Sequence, residues 1–189
     1  MRVTDDRYTG EIEKFDLAVR MIRHEARTGT IRWCTGFTED RIRKLYGTYF
    51  TGGSGGPEVK RRRGKSPRQI ARFVDCARRQ TDATILACLF GCCSVFRLTD
   101  DRRPAPMCNL DRVSLGARIC QAFETYLQLV PEPQFSFEWT WNLYHALIET
   151  GELYLAWCQS CWGPYVQDTY ALDYERCPLC EYKDQSRRN

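Results

Sequence analysis

Apolar residues recur at spacings of three and four along most of this chain. Ile12, Phe15, Val19 and Ile22 make one such face, which predicts a helix over about residues 10–28, capped by Thr9 and ended by Gly29. A short helical piece, TIRWCT, follows before Gly36 breaks the chain. In FTEDRIRKLYGTYF, Thr38 suits a helix cap, and Glu39 and Asp40 sit in the first turn, where the helix dipole favours negative charge. Ile42, Leu45, Tyr46 and Tyr49 then form the buried stripe, and Arg41, Arg43 and Lys44 project from the other side. Helix, glycine turn and basic helix make the outline of a helix-turn-helix, whose second helix reads the major groove of DNA.

The pattern lapses in TGGSGGPEVKRRRGKSP, residues 51–67, whose glycines predict a flexible loop. Ser66 and Pro67 suit the start of the next helix, which is expected to run through DATILACLFGCCSVFRL. DDRRPAP, residues 100–106, reads as a turn. Asn109 is expected to cap a helix carrying Leu110, Val113, Ala117, Cys120, Phe123 and Leu127, ended by Pro131 and Pro133. Phe137, Trp141, Tyr144 and Ile148 mark a last stripe, closed by Gly151. No strand alternation precedes residue 152. The fold expected is mainly α, in four segments: N-terminal helices over 1–50 with the helix-turn-helix-like unit, a basic loop over 51–68, a helical body over 69–151 and a cysteine segment over 152–189. Trp139, Trp141, Tyr144 and Trp157 crowd together; core is the expectation for each, with part of that surface left for a partner.

Charge sharpens this picture. The net charge is +4, yet residues 41–79 hold twelve basic groups against Glu58 and Asp75 alone. Lys60, Arg61, Arg62, Arg63, Lys65 and Arg68 fall within nine positions. Beside a basic helix, such a segment suits contact with a phosphate backbone, by counterion release; the bland alternative is a solvated face. The expected DNA contacts are Arg41, Arg43, Lys44 and those six residues.

The longest apolar run, residues 83–96, is too short for a bilayer span. The first residues have no apolar signal-peptide core, so the expectation is a cytoplasmic chain with reduced thiols. Eleven cysteines, an odd number, argue against a complete disulfide framework.

Four of those cysteines fall in pairs. Cys158, Cys161, Cys177 and Cys180 fit C-x2-C-x15-C-x2-C, a spacing that points to zinc. Two tight turns would present four thiolates as a filled tetrahedron, a structural site with no open position for substrate. Three alternatives stay open: a thioredoxin-like pair, iron in a rubredoxin-like site, and two unligated turns. Arg176 and Lys183 are near enough in sequence to offset negative charge. Cys88, Cys92, Cys93 and Cys120 read as small hydrophobes in helices, ahead of a second metal site. His24 and His145 have no catalytic neighbours, and neither a nucleophile–base set nor a phosphate loop is visible, so no enzyme is expected.

The order RIRKLY, glycine- and proline-bearing loop, RGKSP, helices, then SCW and CPLC resembles the FlhC family, a subunit type of the bacterial flagellar transcription activator. RIRKLYGTYF is similar to that family's LIKLYKEL-type segment. The resemblance spans most of the chain in order and spacing, while the GGSGGPEVKRRR insert is more glycine-rich and basic than the family pattern. It implies a transcriptional activator subunit that joins an FlhD-type partner in a heterohexamer, binds double-stranded promoter DNA of flagellar class II genes and contacts RNA polymerase. It also implies zinc on Cys158, Cys161, Cys177 and Cys180, and a helix-turn-helix around residues 30–50. The alternative is a zinc-stabilised protein-interaction scaffold without direct DNA binding.

Overall fold

A computed structural model describes residues 2–50, 59–62, 64, 69–171 and 175–188. The fold is mainly helical, and the chain divides into two compact units. The first comprises residues 1–66 with 109–120; the second comprises 67–108 with 121–189.

Three helices build the first unit: α1 (Arg2–Arg23), α2 (Thr28–Thr35) and α3 (Glu39–Tyr49). The buried face of α1 is Leu17, Ala18, Met21 and Ile22. At 3.6 residues per turn, Ile12 falls on the opposite side, and it is exposed, which corrects its place in the expected stripe. α1 also stops at Arg23, short of Gly29, which lies inside α2. Glu25, in the left-handed region at φ 56°, makes the break. Gly36 ends α2 at φ 72°, and its N–H reaches the Arg32 carbonyl. Thr38 caps α3 by accepting from the Arg41 N–H at 3.3 Å. Ile42, Leu45 and Tyr46 are buried as expected, but Tyr49 is exposed, edge-on to Phe15 at 5.8 Å.

α5 (Arg112–Leu129) supplies residues to both units. Its start corrects another expectation. Asp111, not Asn109, caps it, accepting from the N–H groups of Val113 (2.8 Å) and Ser114 (3.0 Å). These bonds, led by the Ser114 hydroxyl, hold the Asp111 carboxyl below its usual range. Asn109 instead takes a left-handed turn at φ 60°.

In the second unit Ser66 and Pro67 lie outside the described residues. A short 3-10 turn, Ile70–Phe73, precedes α4 (Ala77–Cys92). α4 does not run on through residue 98. Ser94 turns left-handed at φ 56°, the Val95 N–H bonds back to Phe90, and the chain leaves as β1 (Phe96–Leu98). β1 pairs antiparallel with β2 (Pro104–Pro106), a hairpin the sequence reading did not foresee. A continuous apolar run does not separate buried helix from buried strand, and the two prolines tolerate only an edge position.

α6 (Phe137–Ile148) buries Phe137, Trp141 and Tyr144, and leaves Trp139 half-buried against Phe73 at 5.4 Å. Asp82, buried on α4, accepts from the Tyr126 hydroxyl and from the Gln134 N–H at 3.0 Å. Burial, then this carboxylate, push the Tyr126 phenol up. Asp82 thus ties α4, α5 and the loop before α6. Among the described residues, no helix is long and apolar enough to cross a membrane.

Gly116 marks a close helix approach in the first unit. A Cβ there would lie 3.0 Å from Leu17 Cδ2, 3.1 Å from Cys34 Sγ and 3.2 Å from Cys34 Cβ. Overpacking costs ~1–3 kcal/mol, while Gly→Ala in a helix returns ~1 kcal/mol. Because Cys34 Cβ moves only with its backbone, Gly116→Ala should lower unfolding free energy by ~1 kcal/mol in urea denaturation. An unchanged or raised midpoint would contradict that packing.

Candidate metal centre

The cysteine segment begins as a hairpin. β3 (Leu153–Trp157) pairs antiparallel with β4 (Pro164–Asp168), from Leu153 opposite Asp168 to Trp157 opposite Pro164. Leu153, Leu155 and Val166 are buried on one face of the hairpin, and Tyr165 is buried on the other, paired with Ala156. Gln80 and Thr84 of α4 anchor the hairpin: the Gln80 amide donates to the Val166 carbonyl at 2.9 Å, and the Val166 N–H donates to the Thr84 hydroxyl at 3.0 Å.

The turn between the strands is the first knuckle. The Cys158 N–H bonds to the Gly163 carbonyl at 3.0 Å, and the Trp162 N–H returns to the Cys158 carbonyl at 2.8 Å. Trp162 takes φ 59° to close the turn. The second knuckle opens α7 (Pro178–Arg188). Pro178 occupies the first helical position, where its fixed φ fits and its missing N–H costs nothing. The N–H groups of Cys180 (3.0 Å) and Glu181 (3.1 Å) both reach the Cys177 carbonyl.

The knuckles meet at their sulfurs. The four Sγ atoms lie within 4.8 Å of one another. Cys161 and Cys177 are 3.8 Å apart, and the Cys177 N–H donates to Cys158 Sγ at 3.3 Å. With metal–sulfur bonds near ~2.3 Å, a tetrahedron of thiolates has edges of about 3.8 Å. The Cys161–Cys177 pair sits at that edge length, and the set of four is compact enough to be compatible with one tetrahedral ion. All four are free of disulfides. Cys158 and Cys177 are buried with Tyr165 and Ala156 packed against them, Cys180 is half-buried, and Cys161 reaches the surface.

The electrostatics are uneven. At Cys158, burial opposes the thiolate, but N–H groups of Cys177, Cys161 and Ser160 outweigh it and bring the thiol down to about 6. Burial pushes the Cys177 thiol up. The neighbouring Cys177 sulfur, then burial, push Cys180 up to about 12. Four crowded sulfurs cannot all ionise without a cation among them, so the donor set fits a metal ion. CPLC does open a helix, as a thioredoxin-type pair would. Its neighbours form an antiparallel hairpin, however, and the described strands pair only antiparallel. Arg176 ion-pairs with Asp184, and Lys183 is exposed.

The expected DNA contacts fall into three groups. Arg41 donates to Glu11 at 3.0 Å and lies 3.7 Å over the Phe37 ring, and Arg43 donates to Asp40 at 2.8 Å. The Arg41 bond, then Lys14, hold the Glu11 carboxyl below its usual range. Lys44 and Lys60 are exposed. Arg61 lies 5.8 Å over the Tyr46 ring of α3, and Arg62 pairs with Glu25 at 2.7 Å. Arg63, Lys65 and Arg68 lie outside the described residues.

No protein-family model matches the chain, and no curated protein matches it. Among the described residues, the four cysteines are the group of metal-capable side chains that converges.

Cys158 is the most buried ligand and the acceptor for Cys177. Cys158→Ser should abolish stoichiometric metal in the purified chain, measured by elemental mass spectrometry. Equal metal content in the variant would contradict the centre.

Proposed function

We propose that the chain is a DNA-binding transcriptional activator subunit whose C-terminal cysteines hold a structural zinc ion. It is read as a non-enzymatic, FlhC-like cytoplasmic protein acting with an FlhD-type partner in a heterohexamer at promoters of flagellar class II genes, in contact with RNA polymerase. The motif order from RIRKLY to CPLC supports that likeness.

The zinc assignment rests on the donor set. Four sulfurs within 4.8 Å of one another admit zinc or iron. Zinc is favoured because the rest of the chain offers no electron-transfer chemistry. Structural zinc sites carry apparent binding energies of about 10–16 kcal/mol, against a whole-domain stability of about 5–15 kcal/mol. An ion of that affinity is enough to decide whether the hairpin tip and α7 are ordered. Cys158, Cys161, Cys177 and Cys180 fill the shell, which leaves the ion no catalytic position.

One observation carries the DNA reading: Arg61 stacks over Tyr46 of α3. That contact sets Arg61 beside the basic helix within one unit. Lys44 and Lys60 are exposed, and a short break, residues 36–38, lies between α2 and α3, as the helix-turn-helix reading calls for. Lysines of this kind contact phosphates, which adds affinity and salt dependence without sequence preference.

A second reading, a zinc-stabilised protein scaffold that does not touch DNA, draws support from the Arg41–Glu11 and Arg43–Asp40 pairs. Both arginines already have carboxylate partners, and DNA would have to compete for them.

Salt titration of duplex binding by anisotropy, with the FlhD-type partner present, separates the two readings. Lys44→Ala and Lys60→Ala should each flatten the slope of log K against log salt by about 1. No binding by the wild-type complex at low salt favours the scaffold.

A further inference from the structure

α4 carries a second thiol arrangement that the four-cysteine centre does not use. Cys88 and Cys92 are four residues apart, so they stack one turn above the other on one helix face, with Cβ atoms about 5–6 Å apart. As small hydrophobes they would be buried, as Cys34 and Cys120 are. Both are instead exposed, and neither is in a disulfide. Both line one open groove of about 440 Å³, walled by Phe96, Leu98 and Leu155 and edged by Arg97.

The groove's chemistry is selective. It offers two soft sulfurs, an apolar wall and one guanidinium. A hard divalent cation finds no carboxylate or carbonyl set here, and zinc finds only two of its four ligands. Thiolates select soft monovalent copper. Two thiolates on such an ion leave one net negative charge, which Arg97 is placed to balance.

We propose that Cys88 and Cys92 form a two-thiolate site for a soft monovalent cation of the copper(I) class, with Arg97 offsetting the charge of the complex. Binding forms two sulfur–metal bonds, breaks two S–H bonds and releases two protons to solvent. No electron is transferred, and the ion enters and leaves as copper(I).

The test uses the full chain as purified, under anaerobic conditions, titrated with copper(I) against a chromophoric copper(I) chelator. The four C-terminal cysteines are common to all proteins compared, so differences report only on α4. Wild type should hold one more equivalent than the Cys88→Ser/Cys92→Ser variant, and Cys76→Ser should behave as wild type. Arg97→Ala should weaken that extra equivalent ~3-fold, as expected for an exposed charge pair. Equal uptake by wild type and the double variant overturns the site. Should the double variant misfold by circular dichroism, alkylation mapping of wild type decides. One equivalent of copper(I) should shield Cys88 and Cys92 together from iodoacetamide, and undiminished labelling of either overturns the proposal.

Discussion

The convergence of four sulfurs within 4.8 Å is the constraint on which the C-terminal structure depends. It joins a hairpin turn to a helix start across fifteen intervening residues. Packing contributes beside it: Tyr165 and Ala156 pack on the cysteines and α7 lies against α4, while Leu179 and Tyr182 of α7 are exposed. The backbone is arranged to serve the sulfurs. Trp162 accepts a left-handed turn, Pro178 starts α7, and the Cys177 N–H points at Cys158. Each choice alone is worth about 1–3 kcal/mol at most. A metal ion bound there would contribute several times that and dominate the local balance.

Elsewhere the second unit relies on ordinary packing, with a buried polar tie at Asp82. Asp82 satisfies Tyr126 and Gln134 in the interior, and removing either partner would strand a buried polar group. The hairpin is fastened to α4 by Gln80 and Thr84. The helix that holds the hairpin also presents Cys88 and Cys92. Metal chemistry at the tail and soft-metal chemistry on α4 would then share one scaffold while using different donors and different geometry.

Much of this was legible in the sequence because the signals were local. Gly36, Thr38, the α3 stripe through Tyr46 and the CxxC pairs each fix geometry within a few residues. The failures have local causes too. Ile12 matched the helical period, yet the Leu17–Met21 face won because it buries more of the helix. Asn109 and Asp111 are both good caps, and only the turn at Asn109 shows which one is used. The Phe96–Pro106 hairpin hid in an apolar run because three-residue strands carry no usable alternation. The cysteine spacing announced the centre, whereas the internal pairing of Arg41 and Arg43 depends on Glu11 and Asp40 and was not visible from charge counts.

Hydrogen–deuterium exchange on the metal-replete chain, before and after a strong chelator, tests the central claim most directly. Protection across the β3–β4 turn and the first turns of α7 should collapse together on metal removal, while α1–α3 keep theirs. Unchanged protection at Cys158–Gly163 and Cys177–Glu181 in the metal-free chain would contradict a metal-held tail.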